Sequence, residues 1–141
     1  MGGSTTKEGN IIISSLLEGL EGSSTIFGKK NKTSINAAVF INSTLANTID
    51  FDDFYVGHLG AAIVPVALNV GEPVSASGRD VIIAVALSYE ISMRIGLGLC
   101  PKLERWNIHG YGTWQVFGAV VASSKLIRLN SKEIANAFGI A

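Results

Sequence analysis

The chain has 141 residues, with eleven basic and eleven acidic side chains that cancel, so it offers no basic patch for a nucleic acid or an acidic membrane surface. Hydrophobic residues make up 48% and charged ones 16%, a greasy balance that predicts apolar surface covered by a second subunit, as in a homodimer, or by more of a longer chain. The single cysteine, Cys100, excludes an internal disulfide and fits a cytoplasmic protein.

Residues 1–9 are polar and rich in Gly, Ser and Thr, as in a flexible lead-in. Asn10 then suits the cap of a helix running to about Leu20, striped by Ile12, Leu16 and Leu17. From Gly22 to Thr33 the residues are those of turns, with Thr25, Ile26 and Phe27 as a short extended piece. Lys29, Lys30 and Lys32 read as a solvated loop, and the sequons at Asn31 and Asn42 as accidental. Ser34 caps an apolar helix that begins at Ile35 and ends near Asn47.

Three aspartates follow, at positions 50, 52 and 53, and then His58. Pro65 delays the next helix to Ile63 or Val64, or kinks it. Ser77 and Asp80 have capping-box spacing before a helix over 79–97, whose apolar residues surround the whole wheel and predict burial on most sides. Gly96, Gly98 and Pro101 close that helix, and Glu72, Asp80, Glu90 and Arg94 keep the apolar runs too short for a membrane span. A loop over 101–112 carries His109. A helix over 113–127 is lined with small residues that permit close helix contact, and Asn130 with Glu133 opens a last helix that is still apolar at Ala141. The expected fold is one all-α, multi-helix domain over 1–141, cut short at its end.

The acidic turn admits two readings. In one, the helix stops near Asn47 and the aspartates cap or solvate a loop. In the other, Asp50 and Asp53 lie one helical turn apart at a cleft with His58, a crowding of charge suited to proton transfer. If His109 joins them, one carboxylate and two imidazoles could move a proton on a carbon beside a carboxylate, or protonate a leaving hydroxyl. The same atoms could hold a divalent ion, but no second acidic motif accompanies them. Gly110-x-Gly112 lacks the third glycine and the preceding strand of a dinucleotide loop, so no cofactor is expected.

Three segments, AAVFINSTLANTIDFDD, IVPVALNVGEPVSASGRDVIIAVALSYEISMRIGLGL and HGYGTWQVFGAVVASSKLIRLNSKEIANAFGIA, resemble the N-terminal helical domain of the MmgE/PrpD family. That family includes 2-methylcitrate dehydratase, cis-aconitate decarboxylase and iminodisuccinate epimerase. The resemblance implies a lyase of the 2-methylcitrate dehydratase type that works on a di- or tricarboxylate as a homodimer, with no obligatory metal. It implies that Asp50, His58 and His109 are catalytic and that Asp53 and Thr113 contact substrate. Asn47, Phe54, Leu59 and Gly110 depart from the family's His, Thr, Pro and Pro at those places. The family's later cations fall beyond Ala141, so this chain by itself is expected to be weakly active or inactive. A non-catalytic helical dimerisation module is the alternative.

Overall fold

The computed structural model describes residues 2–17, 21–103 and 111–141. A 3-10 turn, Gly2–Thr5, leads into α1 (Lys7–Leu17). A two-stranded hairpin, β1 (Ser24–Thr25) and β2 (Lys32–Thr33), precedes α2 (Ile35–Asn47), α3 (Leu59–Gly71), α4 (Gly78–Leu103), α5 (Tyr111–Leu126) and α6 (Ser131–Ile140). The fold is all-α, as expected.

The opening residues are more structured than a lead-in. Ser4 is buried, and the Thr6 hydroxyl accepts the Gly9 N–H at 2.9 Å, so Thr6 caps α1 rather than Asn10. The Asn10 amide instead donates back to the Thr6 carbonyl. Ser34 caps α2 as expected, its hydroxyl accepting from Ala37 N–H at 3.4 Å.

The extended piece is Ser24–Thr25, paired antiparallel with Lys32–Thr33. Buried amides of α2 and α3 hold it in place. Asn42 accepts the Phe27 N–H and donates to Thr25 O and to Asn69 Oδ1, each at 2.8 Å, while Asn69 donates to Thr25 O and accepts on its own carbonyl from the Ser24 hydroxyl. Outside this knot, Glu72 binds Lys32 at 2.6 Å and both the N–H and hydroxyl of Thr25. Burial would raise the Glu72 carboxyl, but the hydrogen bonds from Lys32 and Thr25 and the Lys32 charge together hold it below its ordinary value. Lys32 is thus paired rather than merely solvated, and Asn42 is fully buried, out of reach of glycosylation in the folded chain.

Helix α3 begins at Leu59, four residues earlier than Pro65 suggested. A mid-helix proline costs about 3 kcal/mol. Full burial of Leu59 and Ile63 and of Pro65 itself offsets that cost, each large apolar side chain contributing about 1.5–3 kcal/mol.

Helix α4 differs most from expectation. It runs 26 residues, past Gly96 and Gly98 to Leu103, and its fully buried positions are the small ones, Ala84, Ser88, Ser92 and Gly96, spaced one turn apart. This stripe lies against α5. A β-carbon on Gly96 would come within 2.9 Å of the Trp114 indole nitrogen, and one on Gly118 would collide with the Ser92 hydroxyl. The small face expected on α5 therefore does make a close helix contact. Part of the apolar wheel of α4, expected inside, points outward: Ile82 is 70% exposed and Leu97 53%, while Val81, Val85, Met93 and Ile95 pack against the core. By length and composition alone Gly78–Leu99 could cross a membrane. Glu90 and Arg94 pair one turn apart on α4, and the Asn130–Glu133 capping box forms as read from the sequence.

Candidate proton-transfer site

The eleven residues between α2 and α3 form a loop, so Asp50 and Asp53 do not share a helical face. Three of these residues have left-handed backbone: Asp50 at φ 50°, Val56 at 54° and Gly57 at 99°. For Val56, which is β-branched, that conformation is strained by about 1–3 kcal/mol. Two side chains from other helices keep it there. The Trp114 indole N–H of α5 donates to Val56 O at 2.8 Å. Asp53 accepts the Gly60 N–H in the first turn of α3 at 2.9 Å and the Tyr89 hydroxyl of α4 at 3.0 Å.

Asp53 therefore acts as a helix cap and clamp, as in the blander of the two sequence readings. Gly60 is required beside it, since a β-carbon would strike both Asp53 Oδ1 and the Tyr89 hydroxyl. Burial, then the bond to Asp53 and the charges of Asp53 and Asp52, push the Tyr89 hydroxyl well above its ordinary value, so it stays a neutral donor.

Clamped in this way, the loop closes on His58. Its Nδ1 lies 3.2 Å from both oxygens of Asp52, and its Nε2 lies 3.7 Å from Oδ1 of Asp50. Phe54 meets the imidazole edge-on at 5.1 Å. The Asp52 side chain is 10% exposed and that of Asp50 81% exposed, so the two carboxylates differ in kind. Asp52 is a nearly buried carboxylate within hydrogen-bond reach of Nδ1, whereas Asp50 is an exposed charge near the other nitrogen. Sequence reasoning passed over Asp52 in favour of its neighbours; only the fold of the loop distinguishes the three. The ligand atoms of Asp50, Asp52 and His58 all lie within 4.8 Å of one another, and this is the set a divalent ion would use.

His58 stands at the end of a cleft of about 1040 Å³ walled by α2 and α5 and floored by α3. Asn47, Thr48, Gly112 and Gln115 line it near the histidine, and Val39, Val66, Val70 and Val120 line its length. Gly112 and Gln115 of α5 line it, rather than the expected Thr113. The signal was present in the sequence as two stripes, at 35, 36, 39, 40, 43, 44 and 47 and at 115, 116, 119, 120, 123, 124 and 127, each confined to one helical face. No Lys or Arg lines the cleft among the described residues. His109, the third expected catalytic residue, lies outside the described residues.

The family model described as the MmgE/PrpD N-terminal domain matches residues 1–141, the whole chain. No curated protein and no solved structure matches it.

Proposed function

The chain belongs to the MmgE/PrpD family, and from that premise we propose that it supplies the proton-handling end of a lyase site for a di- or tricarboxylic acid of the 2-methylcitrate type. The observation that carries this reading is the His58–Asp52 pair at the mouth of the cleft. With Nδ1–H donated to Asp52, Nε2 of neutral His58 has a lone pair for a proton from the carbon beside a substrate carboxylate. The electrons of the broken C–H bond form the carbon–carbon double bond, and the hydroxyl on the neighbouring carbon leaves as water with a proton from a general acid, the role we give His109. Asp50, 3.7 Å from Nε2, steadies the imidazolium formed.

A tricarboxylate needs several cationic partners, and the described cleft lining contains neither Lys nor Arg. We therefore expect this chain by itself to bind such an acid weakly and to turn it over slowly or not at all, as a cytoplasmic homodimer. Titration calorimetry with 2-methylcitrate should show weak binding that His58→Ala abolishes. Binding indifferent to that substitution removes the site, and turnover at ordinary enzyme rates refutes the missing cations.

The second reading, a non-catalytic dimerisation module, is favoured by the outward apolar face of α4, with Ile82, Leu87 and Leu97 exposed. Sedimentation separates the two, because a module of that kind self-associates whether or not an acid is present.

A further inference from the structure

We propose that a second copy of this chain packs on the outer face of α4, helix against helix and antiparallel, with Glu90 of each copy set against Arg94 of the other. The pairing uses no residue of the cleft, so it stands or falls apart from the acid site. It says where, and in which register, the dimer expected under either reading of the function forms.

Ile83, Leu87, Glu90, Arg94 and Leu97 follow one another at alternating intervals of four and three residues, the spacing of a coiled-coil seam. They lie on the side of α4 opposite the buried stripe of Ala84, Ser88, Ser92 and Gly96, which faces α5. Leu87 is 44% exposed and Leu97 53%, so the seam stands open. From Ile83 to Leu97 it measures about 21 Å.

Charge decides the occupant. Glu90 and Arg94 pair within the helix, yet their side chains remain 52% and 75% exposed at the middle of the seam. A guanidinium and a carboxylate each have capacity for a second partner. In a parallel pair, acid would face acid and base would face base. A two-fold axis between the two positions turns the second copy antiparallel and brings its Arg94 to Glu90. The same axis sets Leu87 against Leu97 of the second copy, so apolar meets apolar on both sides of the charges. It also sets Ala86 against Gly98, both exposed, and these small residues let the helices close up. Such a contact is isologous: each residue meets in the partner the residue that meets it in return. The seam is therefore complementary to itself. A lipid bilayer is the rival occupant of this apolar helix, and two charges at mid-span disfavour it.

Sedimentation of the full chain over a range of concentrations, with folding followed by circular dichroism, tests the pairing. The parent should form dimers. Glu90→Arg and Arg94→Glu each oppose like charges across the axis and should weaken the dimer roughly tenfold or more. Mixed in equal amounts, the two variants should recover a dimer, because every facing pair is then opposite in sign. The pair inside each helix stays broken in the mixture, so recovery reports the contact between copies alone. In a Cys100→Ser background, Leu87→Cys mixed with Leu97→Cys should cross-link on oxidation. Leu87→Cys by itself should not, since its two copies lie about 15 Å apart along the helix axes.

A parent that stays monomeric at its highest soluble concentration, single variants that dimerise as the parent does, or a mixture no tighter than its components overturns the pairing. Cross-linking of Leu87→Cys to itself overturns the antiparallel register. A dimer indifferent to the α4 changes but broken by Val120→Trp, which fills the cleft, overturns it in favour of that groove. A monomer that floats with phosphatidylcholine vesicles overturns it in favour of lipid. The His58 resonances should respond to 2-methylcitrate alike in the parent and in Glu90→Arg, so loss of the dimer and loss of the acid site are read separately.

Discussion

The hairpin at 24–33 and the loop at 48–58 are the two irregular segments near α2 and α3, and both are pinned by polar side chains as well as by one apolar anchor each, Ile26 and Val56. They differ in what the pinning leaves over. In the hairpin every buried amide bonds within the knot: Asn42, Asn69 and Ser24 satisfy one another and the strand backbone. In the loop, Asp53 and Trp114 hold the backbone while Asp52 and His58 face each other beside a cleft. In the loop the pinning leaves a carboxylate and an imidazole of the same segment facing each other beside a cleft. In the hairpin the polar side chains that do the pinning are themselves used up by it.

The largest effect expected from breaking this contrast is at the knot. Asn42→Ala strands the Phe27 N–H and removes a donor from Thr25 and Asn69, at a cost of about 3 kcal/mol in urea unfolding. The His58–Asp52 pair should be unmoved, because its anchors lie on α3, α4 and α5. Gly60→Ala should come next, at about 2 kcal/mol, because its methyl evicts Asp53 from the clamp. It should also disturb the His58 resonances, which Asn42→Ala leaves alone.

Trp114→Phe keeps most of the buried ring but loses the bond to Val56 O. A loss of about 1–2 kcal/mol is expected, with the strained Val56 relaxing and the ligand response of His58 weakening. The smallest effect is one of pH. The Glu72 carboxyl is held below its ordinary value in the folded chain, so its contribution is present above pH about 4.5 and disappears as pH falls through the lower folded value. Lys32→Met should flatten that acid limb of the stability curve without touching the loop.

Several features were legible in the sequence because their signals are local. Ser34 and the Asn130–Glu133 pair sit where caps must sit, and the small residues of α5 announced a close helix neighbour. What failed did so because tertiary contacts overruled local rules. Gly96 does not end α4, since its missing side chain is what Trp114 packs against. Pro65 does not delay α3, because Asp53 caps the helix from seven residues upstream of Gly60 and burial offsets the lost bond. The apolar wheel of α4 misled most: its partner, α5, approaches through alanine, serine and glycine, so Ile82, Leu87 and Leu97 of the wheel are left outside while Val81, Val85 and Met93 pack against the core.

Within the candidate site, the presence of acids and an imidazole was readable, but which acid serves which purpose was not. Asp50, Asp52 and Asp53 are alike in sequence, and only the left-handed turns at Asp50, Val56 and Gly57 aim one at solvent, one at the histidine and one at a helix end.

The central claim, that Asp52 fixes the tautomer of His58 beside the cleft, is tested most directly by a long-range proton–nitrogen NMR spectrum of His58 above its titration, in the parent chain and in Asp52→Ala. The account predicts a proton on Nδ1 in the parent and a shift toward the Nε2-protonated form once the carboxylate is gone. The same Nε2-protonated imidazole in both chains would contradict it.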